Sequence, residues 1–170
     1  MSINGKILFG DPTLHLPVGE LSLRASPGVF YQVNLEINSL LVEFVTDAIH
    51  ALGATQVLDL FSGIGNFSIP LAQKGIQVIA VEQPGRAIND CRYSAKHYGL
   101  ESNIQVMALN AKKFDPTRTF FDVAIVDPPR IGTMGALKKL LQNRPTDVFY
   151  VSCHLSSAAK EIREAQKQGY

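Results

Sequence analysis

Five short apolar runs constrain this chain more than any other feature. They are Gln56–Leu60, Gln77–Val81, Asn103–Leu109, Phe121–Val126 and Val148–Val151, and helix-like stretches separate them. Runs that stay apolar instead of alternating belong to strands covered on both faces. Strands that alternate with helices build a parallel sheet, and right-handed crossovers leave few topologies. The expected fold class is therefore α/β, with a mostly parallel sheet and helices on both faces.

The helices are legible from period and punctuation. Ile37, Leu40, Leu41, Phe44, Val45, Ala48, Ile49 and Leu52 recur at three- and four-residue steps, which predicts one apolar stripe. Asn34 suits its N-cap and Gly53 its stop. Further helices are expected from Asn66 to Lys74, from Pro84 to Gly99, from Met134 to Leu141, and from Leu155 to Gly169. Ahead of them, Ile7-Leu8-Phe9 ends at Gly10-Asp11-Pro12, and Leu21 and Leu23 alternate with polar neighbours before Ser26-Pro27-Gly28. Residues 1–30 thus read as a short β-hairpin extension, and residues 31–170 as the main domain.

The balance of 16 Lys plus Arg against 15 Asp plus Glu gives a net charge of +1, far from that of a basic nucleic-acid module. Any grip on RNA or DNA is local. No apolar run reaches the ~20 residues of a membrane helix. The N-terminus lacks the pattern of a secretory signal. Two cysteines, Cys91 and Cys153, are too few for a disulfide scaffold, a zinc cluster or an iron–sulfur cluster, so no metal site and a reduced, cytoplasmic setting are expected.

Ligands of parallel sheets sit outside the carboxyl ends of the strands. The residues found at those ends are Asp59, Glu82, Asn110, Asp127 and Cys153. After the first strand, Gly63 and Gly65 allow a tight turn and close approach to a ligand. The third glycine of a dinucleotide fingerprint is replaced by Ser68, and no Gly-Lys-Ser/Thr follows, so a phosphate-binding loop does not fit. Glu82 lies where a ribose-binding acid is placed. A nucleoside without phosphates is the implied ligand, and S-adenosylmethionine is one; a ligand-free strand-to-helix turn would use the same two glycines.

Asp127-Pro128-Pro129-Arg130 forms a second loop, stiffened by prolines that fix φ. Its rigidity suits a planar substrate such as a nucleobase, and Arg130 can pair with a phosphate or a carboxylate. Cys153 stands between a strand end and a helix start, where a thiolate is favoured and can act as a nucleophile. An inert packing cysteine is the alternative there, and Cys91 reads that way. His154 is a candidate base, whereas His15, His50 and His97 read as surface or packing residues.

Taken in order, Phe30-Tyr31-Gln32-Val33-Asn34, Val57 to Ser68, Val81-Glu82, Asp127-Pro128-Pro129-Arg130 and Tyr150-Val151-Ser152-Cys153 resemble the catalytic domain of the RNA uridine-C5 methyltransferases. The resemblance implies a Rossmann-like class I methyltransferase domain acting on tRNA or rRNA with S-adenosylmethionine. It implies that Gln32, Asp59, Phe61, Gly63, Gly65, Asn66, Glu82, Asn110 and Asp127 line the cofactor pocket. Gln32 and Asp127 would help place the substrate base, Arg130 is a further candidate substrate contact, and Cys153 would add to C6 of uracil. Such a base must be flipped out of any stack.

Three departures qualify that picture. Cys153-His154-Leu155 stands where the family has Cys-Asn-Pro. The family's His-x-Glu segment, which abstracts the C5 proton, would lie beyond Tyr170, as would two further strands. The family's N-terminal RNA-binding barrel has no counterpart in residues 1–30. The expectation is a domain that binds cofactor, contacts RNA weakly by itself and stalls after methyl transfer. Its fifth strand would form a sheet edge covered by self-association or by a missing segment. A non-catalytic interaction remnant and an amino-group methyltransferase are the rival readings, and Arg130 in place of an aromatic residue disfavours the latter.

Overall fold

The computed structural model describes residues 2–3, 6–7 and 12–170. Strands β1 (Ser2–Ile3) and β2 (Lys6–Ile7) pair antiparallel. The rest of the expected Ile7-Leu8-Phe9 strand and its Gly10-Asp11 turn lies outside the described residues. Next come strands β3 (Leu14–Val18) and β4 (Leu21–Ala25), an antiparallel hairpin. Its alternate residues Leu16, Val18, Leu21, Leu23 and Ala25 are buried, as a period of two requires.

Helix α1 (Leu35–Ala51) begins at Asn34, whose side chain accepts a hydrogen bond from the Ile37 amide at 3.1 Å. The predicted single stripe divides in two. Val42, Val45 and Ile49 are buried, while Ile37, Leu40, Phe44 and Leu52 face outward, Phe44 at 71% exposure. The inner face also carries Asn38 and Thr46. The helix packs its inner face against β3 and α2, and the outward apolar residues stay exposed among the described residues.

The remaining elements are β5 (Gln56–Leu60), α2 (Ser68–Gln73), β6 (Gln77–Glu82), α3 (Arg86–His97), β7 (Ile104–Ala108), β8 (Val123–Val126), α4 (Ala136–Gln142), β9 (Asp147–Tyr150) and α5 (Leu155–Gln166). Helix α2 starts at Ser68 instead of Asn66, because the glycine turn runs through Phe67. Helix α3 starts after Pro84 and Gly85. The five long-range strands form one parallel sheet in the order β7-β6-β5-β8-β9. The order reverses at β5, the switch point where such sheets open a crevice. β9 is an edge of this sheet. Strands β5, β6 and β8 are buried throughout their middles and apolar there except for Asp59 of β5, so two cores form, one on each face.

The hairpin is fastened to α3. The Asp90 carboxylate accepts from the Ser26 amide at 2.7 Å and the Ser26 hydroxyl at 2.8 Å, and pairs with Arg24 at 3.1 Å. Arg86 donates to the Pro27 carbonyl at 2.7 Å. These bonds fix the segment that leads into α1. No helix among the described residues is long and apolar enough to cross a membrane.

Candidate active site

The glycine turn is shaped by close packing. Gly65 has φ +90°, and a Cβ there would come within 2.8 Å of Ile69 and 2.9 Å of the Cys91 sulfur. Only a glycine permits that conformation at that spacing. Gly63 has φ +55° with open space around it. Phe61, a residue with a side chain, also adopts φ +70°, an uncommon conformation that clusters at functional sites. The Phe61 and Ser62 amides both donate to the Val81 carbonyl, so the turn is pinned to the end of β6.

Three carboxylates converge on this rim. Asp59 in β5 is fully buried, and its Oδ2 accepts a hydrogen bond from the Ser68 hydroxyl. Burial pushes its carboxyl up to about 7, the Ser68 bond opposes that, and repulsion from Asp127 and Glu82 adds to it. Glu82 at the end of β6 accepts from the Gly63 amide at 3.1 Å and the Gln83 amide at 2.9 Å. Burial raises it, against those two bonds. Asp127, just past β8, is raised to about 6 by burial. Each acid would rather be neutral or paired than bare. Asp59 Oδ1 and Ser62 Oγ are also buried without a hydrogen-bond partner among the described residues. Buried polar atoms of that kind ask for a bound polar group. A ligand that carries hydroxyls and positive charge fits this donor set, and S-adenosylmethionine has both.

Cys153 meets the rim through strand register. Val126 pairs with Tyr150, and the Val151 amide donates to the Val126 carbonyl at 2.9 Å. The chain leaving β9 thus runs beside Asp127 and reaches Cys153, an exposed free thiol. His154 follows as the N-cap of α5, where Nδ1 accepts from the Ser157 amide at 3.4 Å and lies 3.0 Å from the Ser157 hydroxyl. An imidazole replaces the usual capping side chains but does the same work. Cys91 is buried against the glycine turn, and burial holds its thiol far above the ordinary range.

The remaining sequence candidates make contacts within the fold or lie on its surface. The Asn66 side chain exchanges two hydrogen bonds with Asn38 of α1, at 2.8 and 2.9 Å, so its amide is occupied in joining α1 to the turn. That pair ties α1 to the glycine turn, and Gln32, in the segment ahead of α1, is half-buried. Asn110 caps a short 3₁₀ turn, accepting from the Lys112 amide at 3.0 Å. Arg130 is exposed in a turn closed by the Gly132 amide on the Pro129 carbonyl at 2.8 Å. His15, His50 and His97 are exposed.

Sequence reasoning missed several partners. Ser68 was visible only as the residue that breaks a dinucleotide fingerprint. Asn38 sat inside an otherwise apolar helix face. Glu161 gave no signal at all, since it stands in the charged run Lys160-Glu161-Ile162-Arg163-Glu164. It accepts hydrogen bonds from Thr133 and from the Tyr150 hydroxyl. Tyr150 is half-buried, and its phenol is raised first by burial, then by Glu161 and Asp127.

Comparison with known proteins gives a consistent picture. The family model for tRNA (uracil-5-)-methyltransferases matches residues 9–168. The 23S rRNA (uracil(1939)-C(5))-methyltransferase RlmD of Dichelobacter nodosus is 32% identical over 98% of this chain and 41% of its own length. The enzyme of that name from Shewanella halifaxensis is 35% identical over 89% of this chain and 34% of its own length. The crystal structure of Pyrococcus abyssi tRNA (uracil-54, C5)-methyltransferase with S-adenosyl-L-homocysteine superposes with a TM-score of 0.80 at 25% identity, over 91% of this chain and 38% of that one. The chain therefore spans well under half the length of these relatives.

Proposed function

We propose, on the premise that this chain belongs to the tRNA (uracil-5-)-methyltransferase family, that its sheet rim binds S-adenosylmethionine and directs methylation to C5 of a uridine in RNA. One observation carries the reading: the β8–β9 register sets the Cys153 strand end alongside Asp127, on the same rim as Asp59 and Glu82.

The roles follow from the chemistry. Glu82 offers acceptor oxygens for ribose hydroxyls, and the Gly63–Gly65 turn leaves room for the nucleoside. Asp59, Ser62, Phe61 and Gln32 border the remainder of the cofactor. The bound cofactor supplies a methyl group on a positively charged sulfur. Asp127, stiffened by Pro128 and Pro129, places the base. C5 of uracil is a poor nucleophile as it stands. Addition of the Cys153 sulfur to C6 breaks the C5=C6 bond and moves an electron pair onto the ring as an enolate, so that C5 becomes nucleophilic. After C5 is alkylated, a base takes its proton, the C5=C6 bond re-forms and the Cys153 sulfur leaves as a thiolate. Arg130, exposed on its turn, meets a flanking phosphate.

The His154-Leu155 departure leaves this geometry standing, because His154 still caps α5 directly after the thiol. A thiol of this kind works in a reducing compartment, which accords with a cytoplasmic setting. The net charge of +1 leaves most of the RNA grip to other parts of the machinery.

Two measurements test the proposal. Calorimetry with S-adenosylmethionine and S-adenosylhomocysteine is expected to show binding, and no heat at millimolar ligand refutes the cofactor assignment. Incubation with unmodified tRNA and rRNA fragments is expected to give 5-methyluridine or a Cys153-linked RNA adduct by mass spectrometry. Methylation that survives Cys153→Ala refutes the role of the thiol.

A further inference from the structure

We infer that Glu161 is a positioning residue that clamps the Asp127 loop to the Cys153 strand end and so sets the spacing of acid and thiol across the base. The inference rests on the proposed reading of that rim.

Glu161 lies on α5 and joins three segments through one carboxylate. Its Oε1 accepts from the Thr133 amide and the Thr133 hydroxyl, both at 2.9 Å. Its Oε2 accepts from the Tyr150 hydroxyl at 2.7 Å. Thr133 closes the loop that begins at Asp127 and is only 1% exposed. Tyr150 ends β9, just ahead of Cys153. The loop is also built around this carboxylate. Gly132 has φ +85°, and a Cβ there would lie 2.8 Å from Glu161 Oε1. A second tie runs in parallel, since the Ser157 hydroxyl of α5 donates to the Arg130 carbonyl at 3.4 Å.

Hydrogen bonds to a charged acceptor are shorter and stronger than neutral ones. Three of them on one carboxylate leave little slack between loop and strand end. Small misplacements matter in such sites, because near-attack geometry tolerates shifts of well under an ångström. Asp59 and Glu82 sit on β5 and β6 and touch none of these bonds. Loss of the clamp therefore moves Asp127 against Cys153 and leaves the cofactor side in place.

The test compares the full chain with Glu161→Ala and Glu161→Gln. Glutamine keeps an acceptor for Thr133 and can donate to the Tyr150 oxygen, so it retains the geometry. An RNA oligonucleotide carrying 5-fluorouridine, with S-adenosylmethionine, traps the Cys153 adduct and gives its rate. Glu161→Ala is expected to slow the maximal adduct rate tenfold or more. The half-saturating RNA concentration and the S-adenosylhomocysteine Kd are expected to stay within twofold. Glu161→Gln is expected to stay within threefold of the parent in all three. Amide hydrogen exchange without RNA supplies a readout independent of chemistry: segment 130–136 should lose protection tenfold in Glu161→Ala while β5 and β6 keep theirs. An alanine variant with the parental rate and protection overturns the inference, and so does a variant that loses β5 and β6 protection together with the loop. A parent chain that forms no adduct sinks the methyltransferase reading instead, and the exchange result still decides whether Glu161 holds the loop.

Discussion

Substituting Asp59 by asparagine isolates the electrostatics of the rim. The Asp59 carboxyl is raised from 3.8 to about 7, with burial as the leading cause. A raised acid favours the folded state while it keeps its proton. That contribution is complete below pH 3.8 and is lost as pH rises through the folded value. At 1.36 kcal/mol per unit, the full swing is about 4 kcal/mol. Between pH 5 and pH 8 it comes to about 2.5 kcal/mol, because part is already lost by pH 5. Asparagine does not titrate, so the variant should lack this portion of the pH dependence. Its amide oxygen can still accept from Ser68, but its N–H groups occupy the place where Oδ1 has no partner. That penalty of about 1–3 kcal/mol applies equally at both pH values and cancels in the comparison. Urea unfolding of both proteins at pH 5 and pH 8 reads the difference directly. Parental stability should fall between the two pH values by about 2.5 kcal/mol more than that of Asp59→Asn. Equal losses would show that Asp59 is not a strained acid. A cationic ligand at the rim should favour the ionised carboxyl, so cofactor binding near pH 6.5 should release protons. Calorimetry in phosphate and in Tris detects that release, and Asp59→Asn should reduce it.

Other substitutions separate packing, capping and chemistry. Gly65→Ala must place a methyl against Ile69 and the Cys91 sulfur at an unfavourable φ; a loss of about 3 kcal/mol in chemical denaturation is expected, with weaker cofactor binding. Cys153→Ala removes an exposed thiol, so thermal stability and S-adenosylhomocysteine affinity should hold while the RNA adduct disappears on denaturing gels. His154→Ala removes the α5 cap and should lower unfolding free energy by about 1 kcal/mol, whereas His154→Asn should keep it. Leu155→Pro, at the first position of α5 with its side chain 83% exposed, should be neutral or stabilising by up to about 1 kcal/mol.

Much of the architecture was legible because strand and crossover rules act locally. The runs at Gln56, Gln77, Asn103, Phe121 and Val148 became β5 to β9, and the parallel order follows from their alternation with helices. The Asn34 cap was readable from one residue and its spacing. What failed was the direction of α1. Periodicity shows that apolar residues share a side; it does not show where the neighbours stop. Ile37, Leu40 and Phe44 lie past that limit. The acids at the strand ends were readable one by one, but their mutual repulsion arises from sheet order, which no local window contains. The Asn38–Asn66 and Glu161–Thr133 contacts span 28 positions each, and polar residues on helices carry no mark of such partners.

The rim stores strain on one side and rigidity on the other. Around Asp59 the fold keeps a buried acid raised to about 7, an orphaned oxygen and an unfavourable φ at Phe61. Each of these opposes stability, and a bound cation with hydroxyls relieves at least the first two. Around Cys153 the opposite holds. The capped start of α5, the paired ends of β8 and β9 and the shared Glu161 carboxylate satisfy their donors without help. The division suits the proposed chemistry, in which an acid cluster takes up and releases a charged nucleoside and a thiol meets one ring carbon at a fixed distance. Ligand binding should therefore stiffen the β5–β6 side far more than the β8–β9 side, and hydrogen exchange with and without S-adenosylhomocysteine measures that contrast. Equal protection gained on both sides would mean that cofactor and thiol sites are ordered together and are not separate.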